Sequence, residues 1–230
     1  MASKEFVDAV TPEDLLPLFE SVRKSLSYYF ASHVVQYPNL RSPRLSKPCG
    51  VFVAYRDLKG NVRGCMGLIG TDRPLMFAAV DSAIAAAVED PRYERIIIDD
   101  VTDISLEMTL IKELQDITDG LEEAKARFAS GLHGFYVEGG VNAGVLLPRD
   151  IDDMKLGFDA ALKKVRSKAG LPASAEDLRY YMYETRVFVQ AGHNAQVMDL
   201  TKKPSAPAKQ KKQAKSKKGF LLALFTGDSE

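Results

Sequence analysis

Asn61-Val62-Arg63-Gly64-Cys65-Met66-Gly67 places an arginine and a cysteine two residues apart between glycines. In an extended strand side chains alternate between faces, so Arg63 and Cys65 are expected to emerge on the same side. A guanidinium beside a thiol favours the thiolate, which is the nucleophilic and metal-binding form. Arg63 is therefore expected to bind an anion or to hold the Cys65 thiolate, unless it is a plain surface residue and Cys65 a small core residue. Gly64 and Gly67 bare the backbone for a ligand or serve a bulge. A cysteine nucleophile needs a base, and the chain carries three histidines, His33, His133 and His193. Cys49 and Cys65 are too far apart for a paired CxxC, and HxxxH and HExxH are both missing, so no metal site is expected. The loop around Gly139 and Gly140 matches neither a P-loop nor GxGxxG, and no cofactor is expected.

Around this motif stand Pro48-Cys49-Gly50-Val51-Phe52-Val53, Pro74-Leu75, Ala85-Ala86-Ala87 and Asp90-Pro91-Arg92-Tyr93. His133-Gly134, Gly144-Val145-Leu146-Leu147-Pro148 and Lys168-Ala169-Gly170-Leu171-Pro172 follow in order. Over roughly residues 12 to 190 this succession resembles the AMMECR domain family. The resemblance implies an antiparallel sheet with helices and a smaller subdomain, and an association with Memo-like and radical-SAM proteins in a modification pathway; it does not imply a defined reaction. It also draws in His133, which falls in a family block, and Glu107, which matches a family acid. Cys65, His133 and Glu107 would form a thiol, base and orienting-acid set if the fold brought them together. The alternatives are a hydrogen-bonded turn histidine and a cross-strand glutamate. Arg92 is read first as a structural partner for a carboxylate at a helix end, and second as a ligand contact. The chain has no Trp, whereas the family commonly carries one on the helix after the Leu-Leu-Pro block.

The elements that must position these residues are legible in the pattern. Thr11-Pro12-Glu13-Asp14 predicts a capped helix start, and Leu15, Phe19, Val22, Leu26 and Phe30 recur at helical spacing. Gly50 to Arg56 and Val62 to Ile69 predict a hairpin. Pro74 to Asp90 is alanine-rich and predicts a helix stopped by Pro91. Ser105 to Ile111 predicts a strand, Leu121 to Phe128 a short helix, and Phe135 to Glu138 with Val145 to Leu147 a second hairpin. Ile151 to Lys168 predicts one amphipathic helix ending at Gly170, and Tyr183 to Gln190 a final strand. Without regular βαβ alternation the expected class is α+β: an antiparallel β-sheet flanked by helices with a smaller subdomain.

At 230 residues the chain can bury a substantial core without disulfides. Neither a secretory signal nor an apolar run long enough to span a bilayer is read in it, so the cytoplasm is the expected compartment. Residues 202–230 carry eight Lys against two acids, so a tail of +6 follows a body of −6. An acidic body argues against a nucleic-acid-binding fold. The expected organisation is an N-terminal extension over residues 1–11, a domain over 12–198, a disordered basic linker over 199–218 and a short apolar motif over 219–230. In that motif Phe220, Leu221, Leu222, Leu224 and Phe225 are expected to dock on a protein partner, on an anionic membrane surface, or back on their own domain. Two functions remain. One is an accessory module that binds an unknown small-molecule or protein ligand at the Arg-Gly-Cys motif. The other is a cysteine-dependent enzyme acting on a small anionic substrate, with Cys65 as nucleophile.

Overall fold

The computed structural model describes residues 3–101, 103–172 and 174–201. The expectations for the apolar motif at 219–230 lie outside these. Helix α1 (Lys4–Asp8) opens the chain, and Arg186 donates hydrogen bonds to the Val7, Asp8 and Val10 carbonyls behind it. Val7 and Val10 are buried, so the N-terminal segment is part of the core. Helix α2 (Pro12–Ser32) starts at Thr11 through a reciprocal capping box with Asp14. Its buried face includes Leu15, Phe19, Val22 and Leu26, four of the five residues whose spacing predicted it.

The strands are β1 (Val51–Arg56), β2 (Val62–Leu68), β3 (Ser105–Ile111), β4 (Gln115–Asp116), β5 (His133–Gly139), β6 (Asn142–Leu146), β7 (Arg179–Gln190) and β8 (Val197–Asp199). Every pairing among the described residues is antiparallel. The order is β2-β1-β3-β7-β5-β6, with β4 and β8 also paired to β7. Helices α3 (Leu75–Val88), α4 (Leu121–Arg127), α5 (Pro148–Asp153) and α6 (Phe158–Lys168) complete the fold. It is α+β, with a larger core under α2 and α3 and a smaller one built around α4 and α6.

Both cores use one face of the curled sheet. Val53, Met108 and Phe188 pack under α2 and α3, and Phe135, Val137 and Met182 under α6. The alternate positions, among them Ala54, Cys65, Glu107, Thr109 and Val187, point to the other face. That face carries the cavity described below.

Three expectations change. The single helix over Ile151 to Lys168 is two helices, because Lys155 adopts a left-handed conformation (φ 52°) and Gly157 caps α6. The glycine-rich loop between β5 and β6 shrinks to a tight turn at Gly140 and Val141, since pairing runs out to Gly139 and Asn142. Finally, Asp199 pairs with Phe188 in β8, and Leu200 and Thr201 are hydrogen-bonded to Val187, so residues 199–201 are held to the sheet rather than starting a linker.

The hairpin of β1 and β2 contains the decisive local feature. Tyr55 pairs with Gly64 but Arg56 pairs with Val62, which leaves Arg63 as the extra residue of a β-bulge. Gly64 faces α3 so closely that a Cβ there would lie 1.9 Å from the Ala86 carbonyl oxygen. Gly64→Ala should therefore cost about 3 kcal/mol in urea unfolding, the upper end for overpacking, because backbone meets backbone. Gly157→Ala, with open space around its Cβ, should cost no more than about 1 kcal/mol.

Candidate functional site

Strand β2 lies at the end of the sheet, so among the described residues its outer backbone groups have no strand partner. At Cys65 that role passes to the segment after α3. Asp90 Oδ2 accepts the Cys65 N–H at 2.9 Å, and the Cys65 carbonyl accepts a hydrogen bond from Arg92 Nη2 at 2.7 Å. The two side chains are locked to each other, with Arg92 Nε and Nη2 donating to the two Asp90 oxygens at 2.8 and 2.7 Å. Asp90 and Arg92 thus take the place of a neighbouring strand at one residue. Burial works to raise the Asp90 pKa, but hydrogen bonds from Arg92 and the Cys65 N–H prevail and hold the carboxyl below its usual range.

With its backbone fixed from both sides, Cys65 turns its side chain into a cavity of about 350 Å³. The sheet contributes Phe52, Ala54, Glu107, Thr109 and Val187 to the wall, and Arg149 and Asp150 of α5 close it opposite. Glu107 has a side chain only 7% exposed and accepts from Arg56 Nε at 3.0 Å and Arg149 Nη1 at 2.7 Å, both through Oε2. This one carboxylate joins the sheet to α5 across the cavity.

Cys65 and Glu107 share the cavity; His133 does not. It pairs with Glu184 on β7, and Glu184 belongs to the opposite set of alternating positions from Thr185 and Val187. Its Nδ1 accepts the Ala129 N–H at 3.0 Å beside Phe128, and burial lowers its pKa. The thiol, base and acid set is therefore not assembled, because the period of a strand turns His133 away. Gly134 beside it makes room for Tyr183, since a Cβ would meet the Tyr183 ring at 2.6 Å.

Arg63 also departs from its expected place. The bulge breaks the alternation that would have aimed it beside Cys65, and its guanidinium stands 3.6 Å from Asp100. The cation that acts on the thiol is Arg92. Nor do the glycines open a path to a ligand. Gly64 is pressed against α3, and a Cβ on Gly67 would lie 2.6 Å from Phe52 Cγ. Burial pushes the Cys65 thiol up to about 11, and the Asp150, Glu107 and Asp90 carboxylates raise it further than Arg92 lowers it. Such a thiol is protonated at neutral pH.

The pattern of the sequence missed Arg56, Arg149, Asp150 and Tyr183. Tyr183 donates to the Leu146 carbonyl at 3.2 Å, and burial, followed by Asp150 and Cys65, raises its pKa. The available signal was the strand period: Arg56 stands two residues from Ala54 and Tyr183 two from Thr185. Among the described residues no three His, Cys, Asp or Glu side chains group to hold a metal.

The α+β fold agrees with the comparisons to known proteins. The AMMECR1 family profile matches residues 19–188, and the chain belongs to that family. A protein of Aeropyrum pernix is 31% identical over 173 residues, covering 71% of this chain and 74% of its own. One from Methanococcoides burtonii is 36% identical over 144 residues, covering 60% and 70%. The crystal structure of an uncharacterized protein from Pyrococcus horikoshii superposes with a TM-score of 0.73 at 24% identity, covering 87% of this chain and 99% of that one. This last likeness is one of fold.

Alkylation of Cys65 by iodoacetamide, followed by mass spectrometry, should be slow at pH 7 and rise toward about pH 11. Asp150→Asn should move that rise to lower pH and Arg92→Leu to higher pH, while Arg63→Ala leaves it in place. For the edge clamp, Asp90→Asn should destabilise the protein by about 2 kcal/mol at pH 7, the scale for hydrogen bonds to a charged group, because the Arg92 side chain left behind is half exposed. A carboxyl whose pKa is depressed in the folded state stabilises above its unfolded pKa, and that contribution is lost as pH falls through its folded value. The gap between wild type and Asp90→Asn should accordingly narrow below about pH 4 in denaturant titrations.

Proposed function

We propose that this AMMECR1-family domain is a cytoplasmic accessory module that binds a small organic molecule, or a side chain of a protein ligand, in the cavity between Cys65 and α5. The observation that carries the reading is the nearly buried Glu107, held by Arg56 and Arg149 at the wall of a 350 Å³ cavity. Cavities of this size, with apolar walls and a few fixed polar groups, are the usual form of small-molecule sites. Phe52, Val62 and Val187 supply the apolar wall and Thr109, Glu107 and Arg149 the directional contacts. The reading favours binding over nucleophilic chemistry because the Cys65 thiol is pushed up rather than down and His133 faces away from it. The association of related domains with Memo-like and radical-SAM proteins supplies a setting, in which the module would present a ligand to a modification pathway.

A fragment panel screened by amide chemical-shift mapping tests this. Fragments should shift the signals of Cys65, Thr109 and Val187 together, and Glu107→Gln should weaken them about tenfold, the scale for a hydrogen bond to a charged group. Shifts scattered over the surface, or hits indifferent to Glu107→Gln, would overturn it.

A further inference from the structure

Two threonines on the cavity wall have hydroxyls with nothing to bond. Thr109 on β3 and Thr185 on β7 are 5% and 6% exposed, and neither hydroxyl meets a hydrogen-bond partner among the described residues. A buried hydroxyl left without a partner forfeits the hydrogen bond it makes in water. Glu107 adds a third open position, because Arg56 and Arg149 both donate to its Oε2 while Oε1 accepts from none of the described residues. The strand period sets the three on one face. Thr109 stands two residues after Glu107, with Cα atoms roughly 7 Å apart. Thr185 lies diagonally across from Thr109, whose direct partner on β7 is Val187.

Charge decides what can meet these groups. Glu107 Oε1 only accepts, so it requires a donor. A carboxylate ligand has none to offer, and the cations that line the cavity, Arg56, Arg92, Arg149 and Lys168, are each matched by an acid already. An ammonium ligand has donors, but two guanidinium groups surround this carboxylate and repel a third positive charge. A neutral donor meets neither obstacle. The two hydroxyls each donate or accept, so they take up a carbonyl oxygen or a second N–H beside it. A carboxamide presents both in one rigid plane. The apolar wall of Phe52, Val62 and Val187 must be covered too, and a ring attached to the amide covers it with few rotors to freeze.

We infer that the cavity selects an uncharged carboxamide borne on an apolar ring, with an N–H donating to Glu107 Oε1 and the Thr109 and Thr185 hydroxyls completing the polar edge. This deepens the binding reading above and rests on it. Selection follows from charge matching already completed within the wall, which leaves hydrogen-bonding positions open but no net charge for a ligand to neutralise.

The test uses three probes that share one ring and differ in charge: benzamide, benzoate and benzylamine. Each is titrated at pH 7 into the full chain while amide chemical shifts are recorded. Benzamide should shift Thr109, Thr185 and Val187 together and bind at least about fivefold more tightly than either charged probe, the factor for one neutral hydrogen bond. Thr109→Val and Thr185→Val should each weaken benzamide by about the same factor. Because neither hydroxyl has a partner in the free protein, both variants should unfold at or above the wild-type temperature. The comparison of probes needs no substitution, so it decides the matter even where a variant folds poorly. Benzoate or benzylamine bound at these residues as tightly as benzamide would overturn the inference and leave the binding reading standing, as would benzamide binding indifferent to both valine variants. Cavity shifts from none of the three probes would overturn the inference and the reading together.

Discussion

The approach of α3 to β2 at Gly64 is the contact on which the cavity face depends. The Ala86 carbonyl occupies the space a side chain would need, so β2 must present a glycine, Gly64, to the helix at this point. Arg63, one residue earlier, is then expelled as a bulge, and Cys65, one residue later, is turned to the opposite face. A one-residue slip would send Cys65 into the α3 interface and Gly64 into the cavity, because strand faces alternate with a period of two. The same helix, ending at Val88, delivers Asp90 and Arg92 to the edge of β2 two and four residues later.

That delivery resolves two problems at once. An edge strand exposes N–H and C=O groups that invite pairing with another chain, and a cavity residue on such a strand has poorly fixed geometry. Asp90 and Arg92 occupy both groups of Cys65 and neutralise each other while doing so. The Asp90 side chain is 1% exposed, so its charge is retained only because the guanidinium and two backbone N–H groups surround it. The carboxylate also acts on the thiol, as one of the three acids that raise its pKa. The device that holds Cys65 in place therefore works against its ionisation.

Much of the fold was legible because its elements carry strong local signals. The capping box at Thr11 and Asp14, the β1–β2 hairpin, the β3 strand and the helix ended before Pro91 all follow from residue type and period. The signals failed where a single residue interrupts a period. Lys155 splits a helix whose apolar positions continue in phase on both sides, and nothing in a lysine announces a positive φ. Arg63 interrupts a strand in the same way, and with it the inference that Arg63 and Cys65 share a face. Glu107 was recognised as unusual in an apolar strand, but its partners lie 51 positions before it and 42 after it, beyond any local pattern. His133 shows the complementary limit: an isolated histidine in a matching block looked chemical, whereas its ring serves the Ala129 turn.

The charges around the cavity narrow what can occupy it. Arg56 and Arg149 are bound to Glu107, Arg149 also stands 3.7 Å from Asp153, Lys168 stands 3.7 Å from Asp150, and Arg92 is bound to Asp90. Each of these cations is matched by an acid, so the wall presents oriented dipoles rather than a net field. Sites for polyphosphate or nucleic acid depend on unpaired cations, whose release of counterions supplies much of the affinity; this arrangement lacks that excess. A ligand that gains here must pair with donors and acceptors already fixed, and must cover the apolar wall of Phe52, Val62 and Val187. Such a wall rewards a compact molecule of mixed polarity, because polar groups held in advance lose little entropy on binding and apolar contact supplies the remaining free energy.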